Sequence, residues 1–104
     1  MNLTLKNGET INLEVGPLFL EYLDDYEGGI EQLIADWKAK ENFMYIINFF
    51  AYSIIAANYN RPIEKRDSLK LIGIEDLEKI SNFISEKLPD IENTTNNFKG
   101  AKHF

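Results

Sequence analysis

The sequence contains no cysteine, and its single histidine, His103, stands next to the last of 104 residues. The lack of cysteine excludes disulfide bridges, thiolate zinc sites and a cysteine nucleophile. With one histidine at the far end of the chain, no Ser/His/Asp set can be assembled. We therefore predict that the protein is not an enzyme and holds no cofactor and no metal ion.

Basic residues are missing from the first third of the chain. The net charge is −6, and residues 7–37 contain no lysine or arginine. A surface built from this stretch would repel phosphate backbones, so we predict no nucleic-acid partner. Either a basic protein partner or plain solubility explains the acids. These acids are Glu9, Glu14, Glu21, Asp24, Asp25, Glu27, Glu31 and Asp36.

Long hydrophobic runs are also absent. The most apolar stretch, Phe43 to Ala57, is interrupted by Asn48 and Ser53 and falls short of the about 20 residues that a membrane span needs. The first residues lack the basic and apolar regions of a signal peptide. We expect a cytoplasmic protein without a membrane partner.

A β-hairpin is predicted over residues 2–15. Apolar and polar residues alternate on both sides of Asn7-Gly8, a dipeptide typical of hairpin turns. Because a lone hairpin is marginal in water, its apolar face should lie on helices. That face comprises Leu3, Leu5, Ile11, Leu13 and Val15.

Two helices should follow the hairpin. Pro17 suits the first turn of a helix, which Leu18, Tyr22 and Tyr26 line on one side before Gly28-Gly29 ends it. The second helix has an amphipathic stripe at positions i, i+3, i+4 and i+7. The stripe comprises Ile30, Leu33, Ile34 and Trp37.

The third helix is predicted from a cap at Asn42 to about Asn58. A charged connection at residues 64–67 and a short turn from Ser68 precede the last helix. That helix should run from Ile74 to Leu88 and end at Pro89. We expect a mainly α (α+β) fold with one domain, residues 1–89, in which a hairpin precedes a compact bundle of about four helices around the apolar one. Residues 90–104 should form a polar, flexible tail.

The third helix has two apolar faces. One carries Phe43, Ile46, Ile47, Phe50, Ile54 and Ala57 and should face the domain core. The other, which we call the second face, carries Tyr45, Asn48, Phe49, Tyr52, Ile55 and Tyr59.

Two interpretations of the second face remain open. Either the hairpin and first helix cover it, or part of it stays open as a groove or an oligomer interface. Tyrosine combines an apolar body with a polar tip and is common at protein interfaces. We therefore predict a partner-binding site at Tyr45, Phe49, Tyr52, Ile55 and Tyr59.

The order of elements resembles a known family. The pattern Leu-x-Leu-x-Asn-Gly-x-x-Ile begins at Leu3. A helix that ends in acids and Gly-Gly follows at residues 19–29, then Ile-x-x-Leu-Ile at Ile30, the long apolar helix, and Ile-x-Asp-Leu at Ile74. Over about residues 2–88 this resembles the tail assembly chaperones of long-tailed phages and prophages of low-GC Gram-positive bacteria, in size, element order and hydrophobic pattern rather than in a diagnostic motif.

The resemblance implies a non-enzymatic role in phage tail assembly. Such chaperones coat apolar helices of the tape-measure protein, help to recruit tail-tube subunits, and are often homo-oligomers. The alternative, suggested by the acids, is a small inhibitor or immunity-type protein that binds a basic or nucleic-acid-binding target. The two differ in whether apolar contacts or charge dominate binding.

Overall fold

The protein is mainly helical, with a short antiparallel hairpin at its N-terminus, as predicted. The structure, a computed structural model, describes residues 1–101, and His103 lies outside them. The elements are β1 (Asn2–Thr4), β2 (Thr10–Asn12), α1 (Pro17–Asp24), α2 (Gly29–Ala39), α3 (Phe43–Asn58), α4 (Lys65–Lys70) and α5 (Ile74–Ala101).

The hairpin forms where the alternation predicts it. Leu3 pairs with Ile11 across the two strands, and both side chains are buried against the helices. Gly8 has a φ of +89°, a left-handed conformation that glycine adopts without a steric cost. The backbone N–H of Lys6 donates to the carbonyl of Leu71 at 2.8 Å, which fastens the hairpin to the segment before α5.

Helix α1 begins at Pro17, as predicted, but buries another face. Phe19 and Leu23 are fully buried, whereas Leu18 is half exposed. Tyr22 and Tyr26 are partly buried. The buried side of α1 is therefore the one next to the line of Leu18 and Tyr22. The predicted end at Gly28-Gly29 is wrong, since the helix ends at Asp24 and Tyr26 lies in the turn after it.

Helix α2 buries the predicted stripe, and the turns on either side of it are tight. A Cβ at Gly28, where φ is +91°, would lie 2.7 Å from the Cβ of Gln32, so this position requires glycine. Asn42 stands at the N-cap of α3 with a φ of +49° and makes no side-chain capping hydrogen bond. The predicted capping by Asn42 is therefore wrong, since its left-handed backbone serves the α2–α3 turn instead.

Helix α3 has the predicted bounds and forms the centre of the core. It contacts α1, α2, α4, α5 and β2. A helix that is apolar on every side must be surrounded, and here the same chain surrounds most of it. Its buried residues are Ile46, Ile47, Phe49, Phe50, Ala51, Ser53, Ile54, Ile55 and Ala56.

Helix α4 occupies the predicted charged connection. Lys65–Lys70 is helical, and the hydroxyl of the buried Ser68 donates to the carbonyl of Glu64 at 3.0 Å. The prediction of a connection followed by a turn at Ser68 is therefore wrong. Packing of this short helix against α3 overrides the weak local preference for a loop.

Helix α5 continues through Pro89 instead of ending there. Pro89 lacks the N–H that the carbonyl of Ser85 would accept in a regular helix, yet the backbone is helical to Ala101. Ile91 is 1% exposed, and Lys38 Nζ of α2 lies 2.9 Å from Glu92 Oε1. The predicted helix end is therefore wrong, and the burial of Ile91 favours the continued helix, whereas the exposed ion pair adds little. Of the predicted tail, residues 102–104 lie outside the described residues.

Candidate functional site

The second face of α3, predicted to bind a partner, is largely covered by the chain itself. Ile55 is fully buried and Phe49 is 9% exposed, while Tyr52 and Tyr59 are partly buried. Tyr45 is 54% exposed. An open face is therefore wrong for Phe49 and Ile55, which belong to the core.

Aromatic contacts from α1 and the turn after it provide this cover. Tyr22 meets Tyr52 edge to face, with ring centroids 5.6 Å apart. Tyr26 meets Phe49 in the same way at 5.4 Å. Such pairs contribute about 0.5–1.5 kcal/mol beyond the burial of their area. The interpretation in which helix α1 covers this face is the one that the structure supports.

Tyr26 also fixes α1 to α2 through its hydroxyl. The O–H donates to Asp36 Oδ2 at 2.7 Å. This hydrogen bond to the carboxylate, together with burial, raises the pKa of Tyr26 to about 12. The phenol therefore stays neutral and remains a donor across the range in which proteins normally act.

Tyr59, at the other end of the face, belongs to a polar cluster with the hairpin turn. Its O–H donates to Glu9 Oε1 at 2.7 Å, and Arg61 Nη2 donates to the same oxygen at 2.8 Å. The guanidinium of Arg61 lies 4.5 Å from the centroid of the Tyr59 ring. Hydrogen bonds from Arg61 and Tyr59 lower the pKa of Glu9 to about 2. Tyr59 is therefore engaged within the chain.

An apolar patch remains at the start of α3. Phe43, Met44 and Tyr45 are 45%, 58% and 54% exposed. Phe43 was assigned to the core face, and that assignment is wrong, because its ring packs beside Trp37 at 6.2 Å near the rim of the domain. Lys65 Nζ of α4 lies 4.5 Å from the centroid of the Tyr45 ring.

A second open surface lies between the hairpin, α1, α2 and the second half of α5. It is a groove of about 930 Å³. Leu13 and Ile91 are almost completely buried at its floor, and Phe98 at its edge is 67% exposed. The other apolar lining residues are Met1, Val15, Pro17, Leu20, Ile30 and Phe83.

The groove is missing from the predictions because α5 is predicted to end at Pro89. Without residues 90–98, the groove has no second wall. The apolar stripe of α5 nevertheless continues at helical spacing from Leu88 to Ile91 and on to Thr95 and Phe98. That periodicity was the signal that could have found it.

The rim of the groove carries more acids than bases. Its carboxylates come from Glu14, Glu21, Asp24, Glu31 and Asp90, and the positive groups of the lining are Lys87 and the α-amino group of Met1. Glu14 Oε1 accepts a hydrogen bond from Asn12 Nδ2 at 2.8 Å, and Asp24 Oδ1 accepts one from the backbone N–H of Ile30 at 3.2 Å. The arrangement is suited to binding rather than to proton transfer, since its titratable groups stand along an open edge.

Within residues 1–101, no helix is both long and apolar enough to cross a membrane. The same residues contain no group of three or more histidine, cysteine or carboxylate side chains placed to hold a metal ion. Comparisons with protein-family models, with curated proteins and with solved structures give no match for this chain. Its function must therefore be inferred from its own surfaces.

Proposed function

We propose that this protein binds an apolar helical segment of another protein in the groove between α1, α2 and α5, and that it has no catalytic role. The observation that carries the proposal is the set of partly exposed apolar residues that line this groove, among them Val15, Leu20 and Ile30, beside the exposed ring of Phe98. Exposed apolar surface of this kind marks interaction sites on small proteins.

The size of the groove agrees with a helical ligand. An α-helix has a diameter of about 10 Å with side chains and rises 1.5 Å per residue. The volume of about 930 Å³ therefore admits roughly two helical turns. Two turns present an i, i+3, i+4, i+7 set of anchors, the pattern by which helices bind in grooves.

The specific role that we propose is that of a phage tail assembly chaperone. In this role the ligand is an apolar helix of the tape-measure protein, and the protein acts in the cytoplasm of a bacterial host. Tail-tube subunits and further copies of the chain are additional partners in this proposal. Its support is the element order of the chain together with a groove that accepts one face of a helix.

Co-expression with a tape-measure protein from the same genome tests the proposal. The wild type should give a soluble complex, and Phe98→Ala should reduce the yield of that complex several-fold, as loss of an interface anchor does. Met44→Ala is the matched control, because Met44 is 58% exposed and lies outside the groove. A tape-measure protein that stays insoluble with the wild type would contradict the chaperone role.

The acidic rim favours a second candidate, an inhibitor or immunity-type protein for a basic target. In that case charge supplies most of the affinity, and the apolar floor contributes little. Binding to a basic target would then survive Phe98→Ala and weaken steeply with salt. A complex that is lost in Phe98→Ala excludes this second role.

A further inference from the structure

Most of the carboxylates around the groove lie on one side of it. The wall formed by β2, α1 and the start of α2 lies within residues 12–31, which contain no lysine or arginine. This wall carries Glu14, Glu21, Asp24 and Glu31. The stretch without basic residues in the sequence thus becomes one continuous acidic wall.

The opposite wall has a different character. Helix α5 supplies Lys87, Asp90, Thr94, Thr95 and Phe98. Thr94 and Thr95 satisfy their hydroxyls within the helix, since each donates to the carbonyl four residues earlier, at 2.9 Å and 2.8 Å. The lining residues of this wall thus include one base and one acid, whereas the opposite wall carries acids, and a ligand would meet unlike walls on its two sides.

Glu14, Glu21 and Asp24, three of the acids on this wall, are not neutralised by ion pairs within the described residues. Among the residues that the structure describes, the ion pairs are Lys38–Glu92 and Arg61–Glu9, and Glu14, Glu21 and Asp24 take part in neither. Glu14, Glu21 and Asp24 are exposed. Several like charges along one side of an apolar cleft attract a ligand of opposite charge.

From this arrangement we propose that the segment bound in the groove is a basic amphipathic helix, with its apolar face on the groove floor and lysine or arginine along the edge that faces α1. The proposal rests on the groove being the binding site, as inferred above. It adds the charge and the orientation of the ligand. The observations that carry it are the acidic wall, the apolar floor and the opposite wall of α5, in whose lining the charges of Lys87 and Asp90 balance.

Two synthetic peptides of about 15 residues, long enough to form a marginal helix in water, test this proposal. Both carry the same leucines at i, i+3, i+4 and i+7, with one edge of lysines in the first peptide and of glutamates in the second. At low salt the lysine peptide should bind the full-length protein at least tenfold more tightly, about 1.4 kcal/mol. The ratio of the two affinities should shrink in about 0.5 M salt, where the screening length is well below 10 Å.

Charge reversal at one position inside the groove and one outside it gives a matched pair of variants. Glu21→Lys, on an exposed position of the acidic wall, should weaken the lysine peptide several-fold and strengthen the glutamate peptide. Glu78→Lys changes the net charge equally on an exposed position outside the groove and should have little effect on either peptide. Equal effects of the two variants would show attraction to net charge alone and overturn the proposal.

Phe98→Ala separates this inference from the proposal on which it rests. Loss of both peptides in Phe98→Ala, with equal affinities in the wild type, would keep the groove as the site and overturn the basic ligand. Binding of neither peptide to the wild type would overturn both proposals. A lysine peptide that binds Phe98→Ala as tightly as the wild type would place binding outside the groove and overturn the inference.

Discussion

The second face of α3 and the groove beside α5 are both apolar, yet the chain covers the first and leaves the second open. On α3, Phe49 contacts Tyr26 and lies near Lys65 of α4, and Ile55 is fully buried. In the groove, Phe98 of α5 remains 67% exposed. The difference shows that an apolar residue signals a partner only when no nearby element can reach it.

Distance along the chain explains this difference. Helices α1, α2 and α4 lie near α3 in sequence and can fold back on it at a small entropic cost, and α5 and β2 complete the cover. The groove, in contrast, lies between the hairpin end and the last turns of α5, more than 60 residues apart in sequence. Residues that meet only at such separations leave little trace in local pattern.

Among the tests of this comparison, Ile55→Ala should have the largest effect on stability. Ile55 is fully buried, and removing its side chain should destabilise the fold by about 2–5 kcal/mol. Urea denaturation measures this change. Tyr45→Ala, on the exposed end of the same face, should cost clearly less. Equal small effects of both substitutions would mean that the face is open after all.

Ile91→Ala tests whether the second half of α5 belongs to the domain. Ile91 is 1% exposed, so the substitution should cost about 2–3 kcal/mol, near the lower end for a buried isoleucine because alanine favours helix. Thermal unfolding with circular dichroism is the measurement. Phe98→Ala, on the same helix but 67% exposed, should change stability by less than about 0.5 kcal/mol. If Ile91→Ala is equally neutral, the groove has no fixed second wall.

Ser53→Ala tests whether the buried hydroxyl of Ser53 on α3 lacks a hydrogen-bond partner. The Ser53 hydroxyl is buried and has no hydrogen-bond partner among the described residues. Removing it should stabilise the fold by about 1 kcal/mol, because an unsatisfied buried hydroxyl is costly.

Ser68→Ala is the matched control for Ser53→Ala. Ser68 is equally buried, but its hydroxyl donates to the carbonyl of Glu64, so its loss should cost up to about 1 kcal/mol. Opposite signs in chemical denaturation would confirm the contrast. Destabilisation by Ser53→Ala would show that its hydroxyl finds a partner.

The smallest effect concerns the polar cluster that engages Tyr59. The pKa of Glu9 is lowered to about 2 in the folded protein, so its carboxylate stabilises the fold above the ordinary pKa near 4.5. That contribution is lost as the pH falls through 4.5 toward 2. It is modest, because Glu9 and Arg61 are both partly exposed.

Glu9→Gln should therefore be slightly less stable than the wild type at neutral pH, and the two should converge near pH 2. Unfolding midpoints across this range measure the difference. Asp67→Asn, an exposed carboxylate for which no pairing is seen, serves as the control and should show no such convergence. A constant difference between Glu9→Gln and the wild type would mean that Tyr59 is not held by this cluster.

The local pattern of the sequence determined most of the fold. Alternation around Asn7-Gly8 predicted the hairpin, and periodic apolar residues predicted α2 and α3 with nearly their final bounds. These elements depend on neighbours within a few residues, which is why a single sequence reveals them. The continuous apolarity of Phe43 to Ala57 likewise required that α3 be enclosed.

Tertiary structure alone decided which surfaces close and which stay open. Phe49 became core where Tyr26, in the turn after α1, packs edge to face on its ring, and Ile55 is fully buried in the same core. Helix α5 passed Pro89 because Ile91 gained burial, and Glu92 meets Lys38 across more than 50 residues of sequence. Local propensity contributes a few kcal/mol at Pro89, and such long-range contacts can outweigh it. The groove between the acidic wall and α5 exists only because α5 continues past Pro89.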